Sequence, residues 1–373
     1  MRAAVLREFN APFSIEEVTF LDAAPGRVLV RTGASPFCST DVTNWRGELG
    51  KVPPAILGHA SMGVVEDVGA GVEGIRVGQR VVVPGTPECG VCFFCSRGRP
   101  DQCSELFDRP GVSATSDGYL QVATGADGAA IKAAGLVGGY AEMMNVHATQ
   151  VFPIDSDLPD EHIAMLGCGV TTGFGAVVNA ARVAPGDTVA VVGLGHVGLW
   201  AVQAARLAGA STIIGIDPIA SRRELAGQLG ATHVLDPGVA ARAVVLSLTG
   251  GHGADHVIEA AGPPEAVPEA FGYSRRAGTV VLMGVKKAGS TVTLSQAAVS
   301  VEGRTIIGVQ NGNARMRRDL PLLVSLLESG RLVAEPIVTT RYPLEGMDAA
   351  LAASRDHTDV CGLIVPALSG RGE

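Results

Sequence analysis

The run Val189-Ala-Val-Val-Gly193-Leu-Gly195-His196-Val197-Gly198 couples an apolar, β-branched stretch to a G-x-G-x-x-G pattern. Alone the glycines are weak evidence. Placed after a strand and opening a helix, they form the fingerprint of a dinucleotide-binding turn. Gly193 permits the tight turn, Gly195 lets backbone amides approach a pyrophosphate, and Gly198 lets helix and strand pack closely. Apolar residues at 197, 200, 201, 204, 205, 207 and 208 give helical spacing over His196–Ala208, with Gly209 placed to stop the helix. The positive helix N-terminus faces the phosphates. Asp217 ends the next strand-like run, 24 positions after Gly193. A carboxylate there accepts hydrogen bonds from the adenosine ribose and repels a 2′-phosphate, favouring NAD over NADP. Arg222 and Arg223 nearby keep NADP open. His196, Val197, Arg222 and Val285 join Asp217 and the glycines as candidate cofactor-binding residues.

Outward from this turn the chain alternates strand-like and helix-like runs. The strand candidates are Val189–Val192, Thr212–Asp217, His233–Leu235, Asp255–Glu259, Thr279–Met283 and Thr305–Val309. Six such strands with helices between them read as a doubly wound parallel sheet, an α/β fold. The first third differs: Arg2–Leu6, Arg27–Thr32, Gly63–Val68 and Arg80–Val83 are short β-type runs broken by Gly and Pro, which predicts an antiparallel or barrel-like β domain. Residues 101–138 are rich in Gly, Ala and Ser with little periodicity, and read as a long loop. A chain of 373 residues is too long for one ordinary core, so two domains are expected.

The net charge of −8 and an aromatic content of 4% argue against nucleic acid or an anionic membrane as partner. No run reads as transmembrane, and Arg7 and Glu8 fall where a signal peptide needs its apolar region, so a cytoplasmic location is expected.

Seven cysteines stand at 38, 89, 92, 95, 103, 168 and 361. In a cytoplasmic enzyme, tight cysteine spacing points to metal rather than disulfides. Cys89-x-x-Cys92-x-x-Cys95-x7-Cys103 places four thiols within 15 residues, the ligand count of a closed, structural tetrahedral zinc; an iron–sulfur cluster is the alternative. Cys38 in Cys-Ser-Thr-Asp, His59 in Leu-Gly-His and Cys168 in Leu-Gly-Cys-Gly supply two sulfurs and one nitrogen, a zinc site with one position open to substrate. Cys361 has no assigned role.

With these motifs, and Gly-Cys-Gly-Val-Thr-Thr-Gly at 167–173, the chain resembles the zinc-dependent medium-chain alcohol dehydrogenase family over nearly its whole length. The stretch around Cys168 and the long 104–138 segment are similar to the branch of liver-type alcohol dehydrogenases and glutathione-dependent formaldehyde dehydrogenases. The resemblance implies a GroES-like catalytic domain over 1–169 and 310–373, with the structural zinc lobe at 85–104, and a Rossmann NAD-binding domain over 170–309. It implies an active site in the cleft between them, two zinc ions and NAD per chain, a small alcohol or carbonyl substrate, and a homodimer. By the same resemblance the Thr40 hydroxyl bonds the substrate oxygen and starts the proton path, while Asp41 hydrogen-bonds the far nitrogen of His59.

Some positions depart from the family pattern. Thr43 stands where many members carry a relay His, Ala60 where most have a Glu behind the metal, and Ser39 where some hold cofactor phosphate with Arg or His. Gly85 replaces a bulky residue, which predicts a wider substrate channel, lined also by Trp45 and Leu49, and a medium-sized or bulky substrate. The competing readings are thiol-adduct formaldehyde oxidation, for which no cationic cluster is evident, reduction of an imine or conjugated alkene, and a non-catalytic NAD-binding protein.

Overall fold

The alternating runs of the N-terminal third become antiparallel strands, in a computed structural model that describes residues 1–49, 53–107, 121–284 and 289–368. The chain divides into two units. The first holds Met1–Cys168, Arg315–Glu328 and the chain from Val338; the second holds Gly169–Ala314 and Ser329–Ile337.

In the first unit, β1 (Arg2–Leu6), β2 (Ser14–Phe20), β3 (Arg27–Pro36), β4 (Ala55–Ile56), β5 (Ala60–Val68), β6 (Arg80–Pro84), β7 (Gln121–Gly125), β8 (Ala130–Ala133), β9 (Met143–His147) and β10 (Phe152–Pro153) follow in order. Strands β1, β2, β7, β8 and β4 close into a barrel. A second sheet runs β10, β6, β5 and β3, continues through Cys361–Ile364 and Val338–Tyr342, and takes β9 beside β3. The barrel buries Leu6, Phe13, Ile56, Val122, Ile131 and Tyr140.

Strands β7 and β8 lie inside the stretch expected to be a loop. The reason is a hairpin whose apolar content is too sparse to stand out: Val122 and Ile131 are buried, and Asp127 caps the turn by accepting the Ala129 N–H at 3.0 Å. Closing the barrel supplies the burial that local periodicity did not advertise.

In the second unit all six strand candidates form one parallel sheet. They are β11 (Thr188–Val192), β12 (Thr212–Ile216), β13 (His233–Leu235), β14 (Ala254–Glu259), β15 (Ser274–Leu282) and β16 (Thr305–Gly308). Their order is β13-β12-β11-β14-β15-β16, with the reversal at β11. The helix His196–Ala208 follows β11 and ends at Gly209 in the left-handed conformation, φ 85°. Segment 329–337 belongs here because Gln203 clasps Val333, accepting its N–H at 2.8 Å and donating to its carbonyl at 3.1 Å. Among the described residues no single helix is long and apolar enough to cross a membrane; only the bent pair Asp160–Gly167 and Gly169–Ala181 has the length and composition.

Candidate functional site

Strand β3 delivers Cys38 in extended conformation just before the helix Ser39–Trp45. The Phe37 N–H donates to the Gly362 carbonyl at 2.7 Å, which pins that approach. His59 sits between Gly58 and β5, and Cys168 ends the turn Met165–Gly167. These three residues, distant in sequence, converge: their ligand atoms lie within 4.8 Å of one another, with His59 Nε2 3.3 Å from Cys168 Sγ.

The electrostatics fit a cation at this point. Burial disfavours a charged His59 ring, yet Asp41 and Cys168 outweigh it and raise the pKa well above the ordinary histidine value. The Cys168 thiol is pushed up by Cys38 and by burial, so neighbouring sulfurs resist joint ionisation until positive charge is placed between them. Asp41 is fully buried, and His59 Nδ1 lies 3.2 Å from its carboxylate. That acceptor holds a proton on Nδ1, so Nε2 is the nitrogen whose proton a metal would displace. Asp41 also accepts N–H bonds from Cys38 at 3.2 Å and Gly58 at 3.3 Å.

Thr40 Oγ1 lies 3.7 Å from Cys38 Sγ, at the edge of this cluster. Thr43 is buried and donates to the Ser39 carbonyl at 3.0 Å, so its hydroxyl serves the helix rather than pointing outward. Ser39 is exposed. Ala60 is fully buried and faces the turn that carries Cys168: a Cβ at Gly167 would stand 3.0 Å from the Ala60 Cβ.

Gly85 does not act as the sequence suggested. A Cβ there would stand 2.7 Å from the His59 carbonyl oxygen, so the glycine lets β6 approach the His59 backbone rather than opening a channel. Gly135 presses from another side; with φ +68°, its Cβ would meet the His59 Cβ at 2.7 Å. Trp45 packs against the barrel core and donates its indole N–H to the Ala11 carbonyl at 2.7 Å. Leu49 is half-buried.

Cys89, Cys92, Cys95 and Cys103 also bring their sulfurs within 4.8 Å of one another, and none is in a disulfide. Bonds of about 2.3 Å to a tetrahedral zinc give S···S edges of about 3.8 Å; Cys89 and Cys95 stand 3.9 Å apart. Backbone N–H groups of Cys92, Cys95 and Ser104 point at these sulfurs from 3.4–3.5 Å. Burial works against the Cys92 thiolate, but the Cys95 and Ser104 N–H groups bring its pKa down to about 6. Burial holds Cys95 up at about 11 and pushes Cys103 up as well. Such a set ionises fully only around a cation.

In the second unit Gly193 has φ +90°, and a Cβ on it would strike the Ala261 N at 2.6 Å. A Cβ on Gly198 would lie 1.8 Å from the Gly193 carbonyl oxygen, the close helix–strand approach expected of it. At Gly195 a Cβ would meet only the Arg222 guanidinium, at 3.8 Å, leaving room for a phosphate beside a half-buried cation. Burial lowers the Arg222 pKa while Asp217 opposes the fall. Asp217 accepts the Leu194 N–H at 2.7 Å and the Ile219 N–H at 2.8 Å, so it also ties the glycine turn to β12. Arg223 donates to the Asp217 carbonyl at 2.7 Å. His196 is buried with its ring over Gly169, and Val197 is half-buried. Val285 lies outside the described residues.

Sequence reasoning missed two buried residues. Glu259 ends β14 and accepts the N–H groups of Ala261 at 2.9 Å and Gly262 at 2.7 Å, shaping the backbone that faces Gly193. Its signal, an acid closing an apolar strand, was present in Asp255–Glu259. Tyr140 donates its hydroxyl to Asp41 Oδ2 at 2.8 Å across 99 positions, and no local pattern announces that.

Residues 24–156 match the alcohol dehydrogenase GroES-like domain, and residues 197–329 match the zinc-binding dehydrogenase family. The chain is 34% identical to a putative alcohol dehydrogenase D of Mycobacterium tuberculosis over 97% of its own length and 99% of the relative. It is 33% identical to an S-(hydroxymethyl)glutathione dehydrogenase of Synechocystis, over 97% and 99%. The crystal structure of benzyl alcohol dehydrogenase from Acinetobacter calcoaceticus superposes with a TM-score of 0.88 at 29% identity, covering 98% of each chain. Donor sets, glycine turn and full-length similarity agree: the chain belongs to the zinc-dependent medium-chain alcohol dehydrogenase family and is an alcohol oxidoreductase.

Proposed function

We propose that this protein is an NAD-dependent dehydrogenase of medium-sized or bulky alcohols, with Cys38, His59 and Cys168 as ligands of a catalytic zinc and the four-cysteine lobe holding a structural one. The observation that carries the reading is the convergence of two sulfurs and one imidazole nitrogen, which leaves one coordination position for substrate. When bound, zinc supplies Lewis acidity toward a substrate oxygen, and the nicotinamide supplies the hydride acceptor or donor. Asp41 fixes the His59 tautomer. The Thr40 hydroxyl is the first proton carrier, and with Thr43 committed to the Ser39 carbonyl the proton continues by water. Asp217 favours NAD over NADP, and Gly193, Gly195, Gly198, His196, Val197 and Arg222 form the cofactor side. The substrate class leans on a relative that acts on benzyl alcohol, since Gly85 is taken up by the His59 backbone.

In this reading the first unit is the catalytic domain and the second the cofactor domain; against the expected bounds of 1–169 with 310–373 and 170–309, residues 310–314 and 329–337 go with the cofactor domain. A cytoplasmic homodimer completes it. The edge strand β16, with its own Ile306 and the nearby Val301 exposed, supports pairing through the parallel sheet; light scattering reads the mass.

The test follows NADH absorbance on protein assayed to hold two zinc per chain, across short aliphatic, aromatic and terpenoid alcohols and aldehydes. Turnover concentrated on the larger members, with NAD preferred to NADP, is expected. Zinc-loaded protein that binds NADH yet turns over none of them would point instead to reduction of an imine or conjugated alkene.

A further inference from the structure

We infer that Tyr140 is a positioning residue of the catalytic metal site, acting through Asp41 on His59. Asp41 is fully buried, and each of its oxygens is served by the surroundings: Oδ1 receives His59 Nδ1 at 3.2 Å and the Gly58 N–H at 3.3 Å, Oδ2 the Cys38 N–H at 3.2 Å and the Tyr140 hydroxyl at 2.8 Å. The tyrosine bond is the shortest of the four. It is also the only one whose donor comes from neither a zinc-ligand residue nor the neighbour of one.

The tyrosine itself is tightly held. Its ring stacks on Phe37, 5.4 Å between centroids and 2° between planes, directly before the ligand Cys38. Its N–H donates to Leu57 at 3.1 Å and its carbonyl accepts the Ala4 N–H at 2.9 Å, which fixes it to the barrel wall. The Pro36 carbonyl, 3.3 Å from the hydroxyl, is the weaker neutral acceptor, so the proton points to the carboxylate. Burial first, then Asp41, raises the phenol pKa well above its usual value and keeps it a donor.

The consequence is a chain from the barrel wall to the metal: Tyr140 O–H to Asp41, Asp41 to His59 Nδ1–H, His59 Nε2 to the ligand cluster. A buried carboxylate that loses its shortest hydrogen bond is left with an under-satisfied oxygen and is less firmly placed, which loosens its grip on the imidazole. Outer partners of this kind typically change metal affinity by about 10–100-fold.

The inference rests on Cys38, His59 and Cys168 holding zinc, and the experiment separates the two. Zinc release to a chromogenic chelator is followed on wild type, Tyr140→Phe, Asp41→Asn and the double variant, with Cys38→Ser identifying which phase belongs to which site. Tyr140→Phe keeps the stacked ring and removes only the hydroxyl. It is expected to speed release from the Cys38 site about 10–100-fold while the four-cysteine phase stays unchanged, and to add little in the Asp41→Asn background. Tyr273→Phe, which removes a hydroxyl bonded to Glu269 in the second unit, controls for general loosening: it lowers thermal stability without moving either zinc phase. Equal release from wild type and Tyr140→Phe, or full additivity with Asp41→Asn, overturns the positioning role alone. A wild type that shows only the four-cysteine phase overturns the catalytic zinc assignment and this inference with it.

Discussion

Alanine at Gly198 and alanine at Gly195 should be separable by stability, although the two glycines stand three residues apart in one motif. At Gly198 the added Cβ lies 1.8 Å from the Gly193 carbonyl oxygen. A tolerable carbon–oxygen contact is about 3.3 Å, so the helix must back away from the turn by about 1.5 Å. Both atoms are backbone or backbone-attached, so no rotamer relieves the clash. Overpacking of this kind costs about 1–3 kcal/mol, and in a unit of this size each kcal/mol lowers Tm by about 2–4 °C.

At Gly195 the backbone (φ −75°, ψ −167°) suits alanine, and the Cβ meets only Arg222 at 3.8 Å. The loss there is the helix N-cap preference for glycine over alanine, under about 1 kcal/mol. Its Cβ instead occupies the approach of the pyrophosphate, so NADH affinity should fall at least about tenfold, or 1.4 kcal/mol. Thermal denaturation without cofactor and NADH fluorescence titration read the two effects. Gly198→Ala should lose both stability and affinity; Gly195→Ala should lose affinity with a Tm drop of no more than about 4 °C. Equal Tm losses in the two variants, or an unaltered NADH Kd for Gly195→Ala, would refute the assignment of packing to one glycine and ligand approach to the other.

Three further outcomes are expected. Gly135→Ala forces a left-handed alanine, about 1–2 kcal/mol, into the His59 Cβ 2.7 Å away; zinc content at the Cys38 site and turnover should fall together, as read by metal analysis and initial rates. Cys103→Ser should leave one zinc per chain and lower the Tm of the first unit, with the surviving zinc still assigned by Cys38→Ser. Asp255 is raised by burial but pulled lower by the Thr188 N–H at 2.8 Å and Arg275 at 2.6 Å, for a net depressed pKa. Its stabilising contribution is present above about pH 4 and is lost as the pH falls through the folded-state value. Asp255→Asn should therefore flatten the acid limb of a urea-unfolding series, and an unchanged limb would exclude it.

The donor sets show where reading the chain succeeds and where it stops. The cysteine lobe is local, with four sulfurs inside 15 residues, so its spacing alone points to a metal site, zinc or iron–sulfur. The glycine turn is equally local, because strand, turn and helix are consecutive and each glycine answers a constraint set by its neighbours. Cys38, His59 and Cys168 were reached only through the motifs around them, and Gly85 was misread because the space beside a glycine depends on which backbone comes to fill it. Strands β7 and β8 were hidden for a similar reason: their burial comes from closing the barrel with β1, β2 and β4.

What the amino-acid order determined by itself is therefore everything carried by short-range spacing: the parallel sheet, the helix after β11, the metal lobe and the kind of ligands on offer. What tertiary structure alone decided is which distant groups meet. Tyr140 reaches Asp41, Glu259 shapes the backbone opposite Gly193, and Gly85 and Gly135 press on His59. The physical reason is that hydrogen bonding and steric exclusion act over a few ångströms in space, and distance along the chain places no limit on which residues fall within that range once the barrel and the sheet have closed.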